Sequence, residues 1–193
     1  MPEHDPTPEP AADAAPGVLA RIEDLVNTYG VEHDTEALAD PAAIAAWFAG
    51  RDLLPAGAPV DDADVARTHA VREGLRALIA RNNADGPPSP DDAARLAGLT
   101  ALARELPLVL DPSADPAALV PAATGTVDAA LARLLGDVAA AVTAGTWSRM
   151  KACRNDDCRW AYYDHSRNRS RAWCSMAYCG NRAKARAFRS RAQ

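Results

Sequence analysis

The chain has 193 residues, a formal charge of −5, 48% apolar residues and four cysteines. That length allows one ordinary domain plus a small appended module, and no run of about 18 apolar residues is present to span a membrane. The average charge hides an asymmetry: residues 1–148 hold nine Arg against 23 Asp/Glu, a net −14, whereas residues 149–193 hold twelve Lys/Arg against three Asp, a net +9. An acidic body joined to a basic end implies either a polyanionic partner, most often nucleic acid, or attraction between the two halves.

Residues 1–16 carry five prolines and four acidic side chains and read as a disordered tail. This start lacks the basic and apolar regions of a secretory signal, so a cytoplasmic bacterial protein is the expectation. Leu19, Ile22, Leu25 and Val26 fit one helical face, with a short strand as the alternative. Asp40-Pro41 is a helix start, leading through Ile44, Trp47 and Phe48 to a stop at Gly50. Asp61 or Asp62 caps a longer helix carrying Val65, Val71, Leu75, Leu78 and Ile79, which breaks at Asp85-Gly86-Pro87-Pro88. Ser89-Pro90-Asp91-Asp92 opens another, burying Leu96, Leu99, Leu102 and Leu106. Leu108–Leu110 and Leu119-Val120 flank a turn at residues 111–116 and form a small hairpin. A last long helix runs from Thr126 to about Met150, with Val127, Leu131, Leu135, Val138 and Val142 on one stripe.

All four cysteines fall in the last 41 residues, as Cys153-x4-Cys158 and Cys174-x4-Cys179. Two short-range thiol pairs suit a tetrahedral zinc site, the metal replacing a core that so short a segment cannot build. Without export, metal ligation is also favoured over disulfides. Between the pairs, Trp160, Tyr162 and Tyr163 suit a short strand, and Asp164-His165-Ser166 supplies a turn. Cys179-Gly180-Asn181 opens a final helix in which Arg182, Arg186 and Arg189 share a face. Knuckle, hairpin and helix, with the last ligand at the helix start, is the order of a treble-clef finger.

The string from Cys153 to Arg186, with Cys179-Gly180-Asn181-Arg182 and the Asp-x-Ser-Arg-Asn element at Asp164 to Asn168, resembles the CGNR zinc finger family. The segments DLVNTYG, DPAAIAAWFAGRDL and VREGLRALI resemble the ABATE domain that precedes this finger. The resemblance implies a mainly α body over 17–148, followed by a treble-clef finger over 149–193 that holds one structural Zn2+ through its four cysteines. It further implies DNA as the partner, a small-molecule ligand for the body, and a stress-linked transcription regulator.

Within the finger, Arg167, Arg169 and Arg171 alternate and, in an extended loop, project to one side toward successive phosphates; a solvated charge run is the alternative. Arg182, Lys184 and Arg186 are candidates to line a helix facing DNA, although Arg182 could instead brace Asp164. No histidine follows His165, so the second metal ligand of an HNH nuclease is missing. Asn27 and Thr28 are candidates for ligand contact or for capping the first helix. No catalytic triad, Gly-rich phosphate loop or paired-carboxylate motif occurs in residues 1–148, so an enzyme is not expected. The rival function is a zinc-stabilised protein- or RNA-interaction module without sequence-specific DNA binding.

Overall fold

The structure, a computed structural model, describes residues 14–114 and 116–191; most of the tail expected over 1–16, and Asp115 in the hairpin turn, lie outside the described residues. Helix α1 (Leu19–Val26) buries Leu19, Ile22, Leu25 and Val26, so the helical alternative is the one realised. A tight hairpin follows that the sequence pattern did not announce: β1 (Tyr29–Gly30) pairs antiparallel with β2 (Thr35–Glu36). Its turn places Asp34 at φ +49°, and the Tyr29 hydroxyl donates to the Asp34 carboxylate at 2.8 Å.

The expected cap residues start the next helices. Asp40 accepts the Ala43 N–H at 2.8 Å and opens α2 (Pro41–Ala49). Asp61 opens α3 (Asp62–Ala80) through a reciprocal capping box with Asp64. Ser89 opens α4 (Pro90–Glu105) by accepting the Asp92 N–H at 3.2 Å. The hairpin of β3 (Leu108–Asp111) and β4 (Ala118–Pro121) forms as expected, with Leu110 opposite Leu119, and it packs on α5 (Val127–Thr143).

Helix α5 is shorter than expected, although it holds the whole apolar stripe from Val127 to Val142. It ends at Thr143 rather than near Met150, because Gly145 takes φ +70° and turns the chain away. Val142, expected on the buried stripe, is 56% exposed in the last turn of the helix. A single 3₁₀ turn at Trp147–Arg149 then delivers the chain to β5 (Met150–Ala152), which pairs antiparallel with β6 (Ala161–Tyr163).

Met150, Ala152, Ala161 and Tyr163 belong to the same buried cluster as Leu19, Ile22, Phe48, Leu75 and Leu131. The basic module and the acidic body thus share one core. The edges of the β5–β6 hairpin are held by three asparagines of the body. Because Cys153 N–H bonds Trp160 O, the neighbouring Ala152–Ala161 pair turns its polar groups outward. Asn27 takes both groups of Ala161, donating to its carbonyl at 2.9 Å and accepting its N–H at 2.8 Å. Asn82 donates to Met150 O and Asn83 to Ala152 O on the other edge, at 2.8 and 2.9 Å.

Candidate metal centre and basic face

The β5–β6 hairpin carries the first knuckle at its tip. Cys153 follows β5 directly. The chain then turns tightly, with Cys158 and Arg159 N–H groups both donating to Asn155 O and with Arg159 at φ +51°. The knuckle thus lies inside the hairpin, one strand before it and one after, and not ahead of the hairpin as the order of motifs suggests; the upstream strand occupies residues that the sequence pattern assigns to the end of the last long helix. The second pair is set by a wide turn over Met176–Gly180, closed by Gly180 N–H to Ser175 O at 3.0 Å, which leads into α6 (Asn181–Arg191).

The four Sγ atoms lie within 4.8 Å of one another, with Cys158–Cys174 and Cys174–Cys179 both at 3.7 Å. A tetrahedron of thiolates about 2.3 Å from a zinc ion has sulfur–sulfur edges of about 3.8 Å, so the donor set fits that ion. The Asn155 amide, itself 1% exposed, points its N–H at Cys179 Sγ from 4.0 Å, as an outer-shell donor does. The four thiols are coupled through their close sulfur–sulfur contacts. S–H donors on Cys158 and Cys174 hold Cys153 down to about 2. Donation to Cys153 pushes Cys158 up to about 12 and Cys174 higher still, and burial raises Cys179. A divalent cation lets all four ionise together. Bound by Cys153, Cys158, Cys174 and Cys179, zinc supplies a crosslink with its coordination closed by protein ligands.

Next to the metal centre, Asp164 is fully buried. Its carboxylate accepts from Lys151 Nζ at 2.7 Å and from the N–H groups of Ser166 and Arg171 at 2.9 and 3.0 Å. Those bonds fold residues 164–171 into a compact turn with Arg169 at φ +50°, not the extended run expected. The three arginines consequently part company. Arg167 and Arg169 are exposed, while Arg171 folds back over the Tyr162 ring at 4.7 Å and donates to Trp173 O at 3.0 Å and to Cys174 O. Asp164 is braced by Lys151 and not by Arg182. His165 stacks edge-on against Tyr163 and meets Ala14 O at 3.2 Å.

Several finger cations are engaged by the body. Arg159 pairs with Asp92 at 2.7 Å, Arg154 with Asp85, and Arg182 with Glu32. Attraction between the halves is therefore real, and it consumes part of the basic charge. Arg186 donates to Asn155 at 2.8 Å and stands 3.7 Å from Asp157. Arg167, Arg169, Lys184 and Arg189 are exposed, and none of them faces an acidic partner among the described ion pairs.

The seam also holds residues that periodicity did not single out. Arg76, 1% exposed, donates to Val26 O and Tyr29 O in the body and to Arg159 O in the knuckle, and pairs with Glu73 at 3.1 Å. Arg72 grips Glu36 with two bonds of 2.7 and 2.6 Å. The available signal was their i, i+4 spacing beside Val71 and Leu75, which puts them next to the apolar face. Asn27 and Thr28 stand at this seam too: Asn27 binds Ala161, and Thr28 Oγ1 donates to Leu25 O and accepts from Arg72. On the other edge of the hairpin, where neither Asn27 nor Thr28 reaches, a cleft of about 340 Å³ opens between Asn83, Asp85 and Asp92 of the body and Cys153, Arg154 and Arg159 of the finger.

Fold and site together define a class: a mainly helical body fused through a common core to a C-terminal four-cysteine zinc finger. Two family models divide the chain the same way. The CGNR zinc finger matches residues 149–192, and ABATE, described as "Putative stress-induced transcription regulator", matches residues 19–145. The chain belongs to the ABATE family and carries a CGNR zinc finger. No curated protein matches it. No helix among the described residues is long and apolar enough to cross a membrane.

Proposed function

We propose that this protein is a DNA-binding transcription regulator in which the zinc-fixed finger contacts the duplex and the helical body senses a small molecule. One observation carries the reading: Arg167, Arg169, Lys184 and Arg189 are exposed, without an acidic partner among the described ion pairs, on a module shaped by the metal centre. Such cations displace counterions from a phosphate backbone. Zinc here is structural, since four thiolates leave no position for a reacting water. In the sensing half, a molecule seated in the seam cleft would touch Asn83 and Arg154 at once, and so both halves.

The test is duplex binding by the full chain across a salt series. With four phosphates neutralised, log K falls against log[salt] with a slope of about −3.6. Replacing Arg167 and Arg169 with Ala flattens it by about 1.8 units at unchanged zinc content. A preference among duplex sequences that shifts in Lys184→Ala places α6 against base edges. Binding that ignores duplex sequence altogether favours the protein- or RNA-interaction reading, and no salt-dependent binding ends the regulator reading.

A further inference from the structure

The β1–β2 hairpin reaches the basic helix with one acidic side chain. Glu32 Oε1 accepts from the Tyr178 hydroxyl at 3.0 Å and from Arg182 Nη1, and the Arg182 guanidinium lies over the Tyr178 ring at 5.2 Å from its centroid. Two donors thus converge on one oxygen from the second knuckle and the first turn of α6. A guanidinium and a hydroxyl converging on a single anionic oxygen are also a phosphate-binding pair. The hairpin that supplies Glu32 is itself held in place, through Glu36 by Arg72 and through Tyr29 O by Arg76. The opposite side of α6 presents Lys184 and Phe188, the latter 76% exposed.

We infer that Glu32 stands in for a phosphate, so that the Arg182 face of α6 becomes a nucleic-acid contact only when this carboxylate is displaced. The inference rests on the DNA-binding reading above and adds its regulation: the acidic body competes in cis with the polyanion for the finger. Any event that moves the β1–β2 hairpin, such as a change at the buried Arg72–Glu36 grip, releases one more cation to the duplex. The competition is modest in size, because Glu32 and Arg182 are 20% and 41% exposed and so partly screened.

The experiment uses the full zinc-loaded chain and a short labelled duplex. Glu32→Gln binds about three- to fivefold more tightly at low salt, the range an exposed ion pair supports. Its salt slope is steeper than that of the unaltered protein by about 0.9, one added phosphate contact. Asp34→Asn removes the same charge from the same hairpin without touching the finger; it gains less and keeps the original slope. Arg182→Ala in the Glu32→Gln background abolishes the gain. Glu32→Ala, which removes the charge and the contact while leaving Tyr178 and Arg182 intact, shows a gain and a steeper slope of the same size and carries the test if Glu32→Gln loses its metal. An unchanged slope in Glu32→Gln, or an equal gain in Asp34→Asn, overturns the inference while leaving DNA binding intact. Absence of binding by every variant, the unaltered protein included, instead removes the DNA-binding reading beneath it.

Discussion

Asp164 and Lys151 form an ion pair whose members are 0% and 4% exposed. A buried pair contributes little net stability against a well-packed apolar substitute, but breaking it leaves one charge stranded. Asp164→Asn is expected to cost roughly 3–5 kcal/mol in denaturant unfolding, and Asp164→Asn combined with Lys151→Met to recover much of that. Glu36 gives the pH response of the body. Burial raises its carboxyl, but the Arg72 hydrogen bonds outweigh burial and hold it below the usual glutamate range. A carboxyl depressed in the folded state contributes stability above its unfolded value of about 4.3 and loses it as pH falls through the lower folded value. Urea midpoints of the unaltered protein and Glu36→Gln should therefore differ by a constant amount from pH 7 to about 5, then converge below about pH 4.

At the scale of elements, α3 and α4 pack closely at Gly74. A Cβ there would meet Leu99 Cβ at 2.6 Å, a contact near the backbone that cannot swing aside. Helix propensity favours alanine over glycine by about 1 kcal/mol, but overpacking costs about 1–3 kcal/mol, so the clash decides the sign. Gly74→Ala is expected to lower the thermal midpoint, and the added change Leu99→Gly, which removes the clashing Cβ itself, to relieve the clash while opening a void and adding a second helical glycine. Where elements begin was legible because caps are local: Asp40, Asp61, Ser89 and Thr126 each bind an N–H three residues on. Where α5 stops was less so: the apolar stripe ends at Val142, but the stop depends on Gly145 adopting φ +70°, which its presence alone does not dictate. Strand β5 was hidden for a related reason. Lys151, at its centre, reads as polar and is buried only because Asp164 waits thirteen residues away. The metal ligands were legible from spacing alone. The Glu32–Arg182 contact was not, as 150 residues separate its partners and the spacing that puts Arg182 on a helix face says nothing of Glu32.

At the scale of the whole molecule, the common core ties the metal to the body. Cys153 continues β5, and β5 and β6 supply Met150, Ala152, Ala161 and Tyr163 to the interior. Zinc binding to a finger is worth on the order of 10 kcal/mol at neutral pH, and because β5 packs on α3 and β6 on α1, part of that stabilisation is expected to reach the body. Chelation, or Cys174→Ser, is expected to lower the unfolding temperature of the helical signal as well as that of the finger. Calorimetry should show one transition that moves with free zinc. A helical transition indifferent to the metal would mean that the two parts fold independently.

The three asparagines along the β5–β6 hairpin have a bearing on how this protein behaves when concentrated. A two-stranded ribbon ordinarily offers two open borders, each a template on which a foreign strand can add. Here Asn27 occupies one border as an adjoining strand would, and Asn82 and Asn83 occupy the other. Their amides occupy the outward carbonyls of Met150, Ala152 and Ala161 and the outward N–H of Ala161, groups that a newcomer strand would otherwise pair with. The finger is thereby kept from polymerising through the ribbon that builds its metal site.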